Sequence, residues 1–192
     1  MLDSATFARH YLDDLADVLR KIDPHSIATA IQWLREARDA DKTIYACGNG
    51  GSALIASQMV VDIVKGASFG RTKRFKMIGL NDTSGTISAY ANDVSYEVVF
   101  EEQLKNFAVA GDVLVAISGS GNSPNVLKAV EYANRIGCRT IGLTAGVGGK
   151  LRTVAQLPVL VPSNHMGRLE DSFFAVTHIL CYAFIEEPGA VS

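Results

Sequence analysis

The sequence predicts an α/β protein in which helices cover both faces of a parallel sheet, so that the fold is a three-layer sandwich. After residue 42, five short and continuous apolar segments alternate with helical segments, as in doubly wound folds whose strands are buried on both faces. In addition, 48% of the 192 residues are apolar and 20% are charged, which suits one compact domain with a substantial core. We expect a single domain over residues 1–192, with a helical pair in 1–41 and an α/β core in 42–187.

Two helices are expected before the first strand. Apolar residues recur at steps of four in residues 4–21, at Phe7, Tyr11, Leu15 and Leu19. Asp23 as a cap and Pro24 in the first turn begin a second helix that ends near Ala40. Because these helices precede any strand, we expect them to pack on the later core or on another subunit.

The alternation after residue 42 predicts five strands and four helices. The predicted strands are Thr43–Cys47, Phe75–Leu80, Val113–Ile117, Thr140–Leu143 and Leu157–Val161. The predicted helices are Ser52–Val64, Tyr96–Phe107, Pro124–Ile136 and Leu169–Ile185. Polar turns are expected between the second strand and Tyr96. A glycine-rich loop is expected at Ala145–Gly149, and Gly137 should end the third of these helices.

Composition and charge exclude several kinds of partner. The formal net charge of -2 gives no reason to expect nucleic acid or an anionic membrane surface. A local basic cluster at Arg71, Lys73, Arg74 and Lys76 is interpreted as a solvated loop. The three cysteines show no CxxC spacing and are expected to be buried free thiols. Without a signal peptide or a membrane-spanning apolar run, we expect a soluble, cytoplasmic protein.

The first informative turn is GNGGS, after the first strand. Gly48, Gly50 and Gly51 let a ligand approach the backbone, and Ser52 is expected to cap the following helix. The unpaired N–H groups at a helix start favour an anion. Gly48, Gly50 and Ala53 also match a dinucleotide-binding pattern, but the usual acidic residue about 20 positions later is missing. No GK[ST] follows, so the turn is not a Walker A motif.

A second glycine-serine turn follows the third strand. It contains Ser118, Gly119, Ser120 and Ser123, and Ser123 is expected to cap a helix that begins at Pro124. Ligands of open α/β sheets bind at the carboxyl ends of the strands near the topological switch point, where both turns could meet. Hydroxyls and backbone N–H groups, without Lys or Mg²⁺ ligands, suit a simple phosphate monoester. Either turn alone could also be merely a tight loop.

Polar residues interrupt two otherwise apolar helices. Gln58 and Asp62 share a face of the first crossover helix, while Glu170 and His178 lie about 80° apart around the axis of the last helix. Such groups are costly in apolar helices unless they are paired, bound to metal or used in chemistry. The alternatives are that Asp62 pairs with Lys65, that Glu170 favours a helix start, and that His178 is a satisfied core or interface residue. Asn92 and Asp93 form a turn by default or hold sugar hydroxyls.

With these residues, the chain resembles the sugar isomerase (SIS) domain family and, within it, the phosphoheptose isomerase branch. The matching stretches are CGNGGS, LNDTSGTISAYANDVSYEVVFEEQL, GDVLVAISGSGNSPNVLKAVEYA and LEDSFFAVTHIL. The resemblance implies a flavodoxin-like five-stranded sheet and a homotetramer with active sites between subunits and the leading helices in its core. It also implies conversion of sedoheptulose 7-phosphate to D-glycero-D-manno-heptose 7-phosphate through an enediolate.

The resemblance also implies roles for particular residues. The serines at 118, 120 and 123, with Gly119 beside them, match the phosphate-binding positions, and Asn49, Gly50, Gly51 and Ser52 line the sugar chain. Asp93 matches a residue near the substrate. Asp62 stands at the position of the base and His178 at that of the acid. A Zn²⁺ ion is implied between Gln58, Asp62, Glu170 and His178.

This sequence departs from the family pattern at four of these positions. Gly119 stands where many members have Thr, which removes one hydroxyl. Gln58 replaces a His, Asp62 a Glu and Glu170 a Gln, and an amide oxygen is a weak zinc ligand. Two hypotheses follow. The first is an active phosphosugar isomerase, on a heptose or another sugar phosphate. The second is a non-catalytic phosphosugar-binding or regulatory protein, similar to the replication-initiator-associating relatives that keep the fold and lose the catalytic residues.

Overall fold

The computed structural model describes residues 3–187, and these residues form the expected parallel sheet of five strands. The strands are β1 Thr43–Gly48, β2 Lys76–Gly79, β3 Val113–Ser118, β4 Arg139–Ala145 and β5 Leu157–Val161. Their order across the sheet is β2-β1-β3-β4-β5, and all four pairings are parallel. The chain reverses its direction of winding between β1 and β3. The crevice of this doubly wound sheet therefore lies at the carboxyl ends of those two strands.

Eight α-helices surround the sheet within the described residues. They are α1 Ser4–Arg20, α2 Pro24–Asp39, α3 Gly51–Val61, α4 Ser84–Asp93, α5 Glu101–Phe107, α6 Pro124–Arg135, α7 Leu151–Val154 and α8 Met166–Ile185. A π-helical turn, Asp62–Gly66, continues α3, and a 3₁₀ turn, Tyr96–Val98, precedes α5. None of these helices has the length and apolar character needed to cross a membrane.

Two apolar clusters, one on each face of the sheet, make the three layers. On one face α2, α3 and α8 bury side chains such as Leu34, Ile55 and Phe173 against β1, β3 and β4. On the other face α5 and α6 bury Leu104 and Val130 against the alternate residues of the same strands. Each such side chain contributes about 1.5–3 kcal/mol when fully buried.

The three cysteines are buried free thiols, as expected from the sequence. Burial raises the pKa of Cys47 to about 12 and that of Cys138 to about 11. Burial, with a contribution from the nearby Asp62, also raises the pKa of Cys181 to about 12. Because a thiolate rather than a thiol is the nucleophile, these groups are unreactive near neutral pH.

The two leading helices differ in how they pack. Asp23 caps α2 through its carboxylate, as predicted, and α2 covers the sheet with Ile27, Ala30, Leu34 and Ala37 buried. In contrast, α1 buries no residue completely. It docks on α8 through a hydrogen bond of 2.6 Å from Tyr11 Oη to Asp171 and an ion pair of 2.5 Å between Arg168 and Asp14.

The sequence missed two helices, misplaced one cap and predicted one capping hydrogen bond that does not form. Residues 84–93 form α4 where polar turns were predicted, because α4 buries no residue and so carries no apolar period. The four-residue α7 follows the glycine-rich loop. Gly50, and not Ser52, is the N-cap of α3, and no side chain caps that helix. Ser123 is the N-cap residue of α6, but its hydroxyl bonds Ser118 instead of the helix.

The basic cluster is also more than a solvated loop. Arg71 is largely buried and donates to the carbonyl oxygens of Phe184, Ile185 and Glu187 at the end of α8. A cation at this position satisfies orphan carbonyls and complements the helix dipole. The prediction of a solvated loop was therefore wrong for Arg71, since tertiary packing brings the end of α8 to it.

Candidate active site

A cavity of about 270 Å³ lies at the carboxyl ends of β1 and β3, where the switch point places it. Its lining combines polar residues of both glycine-serine turns with residues from the start of α8. The lining residues are Asn49, Ser52, Ile117, Ser118, Gly119, Ser120, Ser123, Met166, Leu169 and Glu170. The structure thus brings together seven of the site residues predicted from the sequence, and Gly50 and Gly51 lie between two of them in the chain.

The turn after β1 is shaped by close approach of the backbone to α8. Gly50 has a φ of +54°, which favours glycine. Gly51 begins α3, and a methyl group on it would overlap the Glu170 carboxylate. Glu170 therefore reaches the cavity because position 51 has no side chain. The first turn of α3 leaves backbone N–H groups at the cavity, with Ser52 buried beside them.

The turn after β3 is held rigidly. Ser118 Oγ and Ser123 Oγ are 3.1 Å apart and hydrogen-bonded. Gly121 has a φ of +65° and packs against the glycine-rich loop, and its carbonyl accepts from Leu151 N at 2.9 Å. The hydroxyl of Ser120 accepts from Asn122 N at 3.2 Å. Because the backbone of the turn is already held in this shape, only rotation of the hydroxyls is needed to present donors to an oxyanion such as a phosphate.

A second group of predicted residues lies at the far end of α3. Gln58 Nε2 donates to Asp62 Oδ1 at 3.1 Å, and His178 Nε2 lies 3.6 Å from Asp62 Oδ2. The second distance is too long for a hydrogen bond, and the contact is an ion pair only when His178 is protonated. Asp62 also begins the π-helical turn, and π-turns are frequent at functional sites. The alternative pairing of Asp62 with Lys65 does not occur.

Asp62 and His178 differ in their exposure to solvent. Asp62 Oδ2 is buried and has no hydrogen-bond partner among the described residues. The His178 side chain is 46% exposed and its ring lies between those of Phe174 and Tyr182. A molecule that approaches α8 therefore meets the imidazole first, with the carboxylate behind it.

The cavity and the Asp62–His178 pair lie far apart within one chain. α3 and α8 run side by side, so that Glu170 meets the start of α3 and His178 meets its end. At 1.5 Å per residue, Gly51 and Asp62 are about 16 Å apart along the helix, and Glu170 and His178 about 12 Å apart. Glu170 and His178 share one side of α8, as the sequence predicted, but they lie at different heights along the helix and do not flank one pocket.

Zinc fits the donors of a single chain poorly. Within residues 3–187 no three side chains of His, Cys, Asp and Glu converge. Gln58 turns its amide nitrogen towards Asp62, and Glu170 lies at the other end of α3. Catalytic zinc takes three protein ligands, mostly His and carboxylates, whereas one chain offers one imidazole and one carboxylate here. We assign no catalytic step to a metal.

Asn92 and Asp93 are not in the cavity. They end α4, where both are exposed and Asn92 Nδ2 donates to Asp93 Oδ1 at 2.7 Å. Asp93 lines a separate surface depression with Tyr90 and Val94. The same segment nevertheless reaches the cavity three residues later, because Tyr96 Oη donates to Asn49 Oδ1 at 2.9 Å.

Sequence reasoning missed two residues that contact the site. Tyr96 lies 47 positions from Asn49, and although it stands in one of the stretches that match the family, nothing in its spacing singled it out. Asn125 follows directly on the SGSGNSP stretch and exchanges hydrogen bonds with Asn49. An amide at the second position of a helix beside a serine turn was the one available signal for Asn125.

Known proteins are similar to this chain in sequence and in fold. The family model described as SIS domain matches residues 10–145. A phosphoheptose isomerase of Citrifermentans bemidjiense is 38% identical over 156 residues, which are 81% of each chain.

Two solved structures are similar throughout the fold. A phosphoheptose isomerase of Francisella tularensis has a TM-score of 0.90 at 25% identity and covers 97% of this chain and 100% of its own. That of Neisseria gonorrhoeae has a TM-score of 0.84 at 29% identity and covers 94% of this chain and 97% of its own. The chain therefore belongs to the SIS domain family, on its phosphoheptose isomerase branch.

Proposed function

We propose that this protein is an aldose-ketose isomerase that converts sedoheptulose 7-phosphate to D-glycero-D-manno-heptose 7-phosphate. The observation that carries the proposal is that the chain has both a preorganised serine turn in the cavity and an Asp–His pair between the end of α3 and α8. The first suits a phosphate monoester and the second suits proton transfer. The identity of the substrate is inferred from the similar proteins, which are named phosphoheptose isomerase.

The cavity holds the phosphate end of the substrate. Ser118, Ser120 and Ser123 donate hydroxyl hydrogen bonds to phosphate oxygens, and the first N–H groups of α3 add the positive end of a helix dipole. Asn49 and Glu170 face the sugar beyond the phosphate, where Glu170 accepts from hydroxyls. The turn is already in place, so binding loses little free energy to ordering the protein.

His178 carries the proton transfer, and Asp62 supports it. Isomerisation moves one hydrogen from C1 to C2 through an enediolate, and a second proton moves between the two oxygens. The resemblance assigns Asp62 as base, but the exposed group of the pair is the imidazole. We assign His178 as the group that meets the substrate. Asp62 holds the imidazole and stabilises it when it is protonated.

Two copies of the chain must contribute to one site. Bond lengths near 1.5 Å limit the span from a heptose phosphate to its C2 atom to about 9 Å. In one chain the start of α3, at the cavity, is about 16 Å from Asp62 along the helix. The helices that carry the pair also expose apolar side chains, Leu54 and Val61 on α3, Phe69 shortly after it, and Ile179 and Tyr182 on α8. Such a patch is typical of an interface between subunits, and it supports a homo-oligomer, with a tetramer as the expected state.

We further propose that the protein acts in the cytoplasm and uses no nucleic acid or membrane partner. The three thiols are free, which fits a reducing compartment. The formal net charge of -2 favours no polyanionic partner. Zinc stays a prediction of the resemblance and is decided by the metal content of the purified protein.

The first test is turnover of sedoheptulose 7-phosphate, followed by NMR, before and after chelation and with added Zn²⁺. Formation of an aldoheptose phosphate supports the isomerase. Loss of turnover on chelation supports a metal, and unchanged turnover removes it from the proposal. Binding of the phosphosugar without turnover under any condition would contradict the isomerase and favour the non-catalytic hypothesis.

Mixing inactive variants tests the shared site. Asp62→Asn and the double variant Ser118→Ala, Ser123→Ala should each lose most activity, since each lacks one half of every site. Co-refolded mixtures of the two should recover about a quarter of wild-type activity, because some sites then combine two intact halves. The matched control is a mixture of Asp62→Asn with His178→Ala, which share a half and should recover nothing. Recovery in neither mixture would contradict the shared site.

A further inference from the structure

Two residues outside the predicted site hold the side chain of Asn49. Asn49 Nδ2 donates to Asn125 Oδ1 at 2.9 Å, and Asn125 Nδ2 donates back to Asn49 Oδ1 at 2.9 Å. Tyr96 Oη donates to the same Asn49 oxygen at 2.9 Å. The amide of Asn49 is thus fixed by three hydrogen bonds from two other elements of the fold.

The orientation of these amides follows from one backbone donor. Val126 N donates to Asn125 Oδ1 at 3.0 Å, and a backbone N–H can only donate. The atom it meets must therefore be the amide oxygen of Asn125. The partner of that oxygen must in turn be the nitrogen of Asn49, so the oxygen of Asn49 faces Asn125 Nδ2 and Tyr96. This chain of hydrogen bonds, which starts from the Val126 N–H group, fixes which atom is oxygen and which is nitrogen in both amides.

The hydrogen bonds leave Asn49 with one free function. Its oxygen accepts two hydrogen bonds, which fills both lone pairs. Its nitrogen uses one N–H, and the second has no partner among the described residues. Asn49 lines the cavity, so what it offers to a ligand is a donor and not an acceptor. An oxygen of a phosphosugar is the kind of group that matches it.

The two holding residues are placed very differently. Asn125 is 2% exposed in the first turn of α6, directly after the serine turn. Tyr96 is 51% exposed in the 3₁₀ turn, and the next residue, Glu97, pairs with Lys128 of α6 at 2.9 Å. Since half of the Tyr96 side chain is in solvent, core packing does not explain its orientation. The hydrogen bond to Asn49 is its specific contact.

We propose that Asn125 and Tyr96 are positioning residues of the phosphosugar site. By saturating the oxygen of Asn49 they turn its free N–H towards the substrate, and they keep the turn after β1 in register with the serine turn after β3. The identity of the ligand rests on the proposed function, whereas the positioning itself rests on the hydrogen bonds.

A double-mutant cycle tests this proposal. Tyr96→Phe removes one hydroxyl, and it should raise the Kd for sedoheptulose 7-phosphate, measured by calorimetry, about three- to tenfold, as expected for one hydrogen bond. In an Asn49→Ala background the same substitution should change Kd by less than about twofold, because Tyr96 acts through Asn49. KM should follow Kd while kcat changes less. The matched control is Tyr132→Phe, since the Tyr132 hydroxyl has no hydrogen bond within residues 3–187.

Asn125→Ala should have a larger effect than Tyr96→Phe, and thermal unfolding shows whether this buried truncation still folds. If it does not fold, Tyr96→Phe decides alone. Equal effects of Tyr96→Phe in both backgrounds, or no effect in either, would overturn the proposal. Failure of the wild-type protein to bind sedoheptulose 7-phosphate would instead overturn the proposed function. The cycle with inorganic phosphate as probe would then decide the positioning proposal separately.

Discussion

At the scale of single residues, the candidate site depends on an absent side chain as much as on the polar ones. Gly51 begins α3, and the Glu170 carboxylate occupies the space that a methyl group would take. The serines of the second turn were predictable from their motif. The contact between Gly51 and Glu170 was not, because it joins residues 119 positions apart and depends on the way α8 lies along α3.

Gly51→Ala should therefore weaken ligand binding without destabilising the fold. Alanine favours a helix over glycine by up to about 1 kcal/mol, and the displaced group is the end of a flexible side chain. We expect a melting temperature at or slightly above that of the wild type and a Kd for the sugar phosphate raised about threefold or more, measured by calorimetry.

The matched control for Gly51→Ala is Gly85→Ala in α4. A methyl group at Gly85 meets no atom within 4 Å, so this change should stabilise the helix and leave binding unchanged. Equal binding by the Gly51 variant and the wild type would show that Glu170 has no contact with the ligand.

At the scale of elements, the sequence predicted the buried strands and missed the helix that buries no residue. All five strands lie within two residues of their predicted bounds, because continuous apolar runs leave few alternatives. In contrast, α4 buries no residue and was predicted as turns. The axial position of α8 along α3 was equally unpredictable. Periodicity gives the angle of a residue around its helix, but not the height at which that helix contacts its neighbour. The separation of Glu170 from His178 was missed for that reason.

The end of α8 carries an electrostatic contact that gives a prediction on pH. Hydrogen bonding from Arg38, with a smaller contribution from Arg35, lowers the pKa of Glu187 from its ordinary value of 4.5. A lowered folded-state pKa stabilises the fold above the ordinary pKa, and this contribution is lost as pH falls through the folded-state value. Because the pair is partly exposed, Glu187→Gln should lower the free energy of unfolding by no more than about 1 kcal/mol at pH 7. The difference should shrink towards zero near pH 3.

Urea unfolding at both pH values measures this effect. The neighbouring Glu186 is exposed and forms no ion pair within the described residues, so Glu186→Gln is the matched control and should be neutral at both pH values. A loss of stability in the Glu187 variant that is the same at pH 3 and pH 7 would assign its role to packing rather than to charge.

At the scale of the whole molecule, the apolar face on α3 and α8 is the feature that the isolated chain does not explain. Leu54 is 70% exposed on this face, in the same helix as Asp62 but two turns away from it. On a monomer, a charged residue at such a position changes stability by about 0.5 kcal/mol or less. In an interface between subunits, the same charge would be buried without a partner and would prevent assembly.

Leu54→Asp should therefore dissociate the protein and, with it, remove activity, while each chain stays folded. Light scattering should report a smaller mass than for the wild type, and the circular dichroism spectrum should be unchanged. Turnover should fall at least tenfold, because the cavity of one subunit no longer meets the Asp62–His178 pair of another. Val109→Asp is the control, since Val109 is also apolar and exposed but lies in the loop between α5 and β3. A monomeric Leu54 variant with full turnover would mean that one chain completes the site alone, and the separation along α3 would then have to close by movement within the subunit.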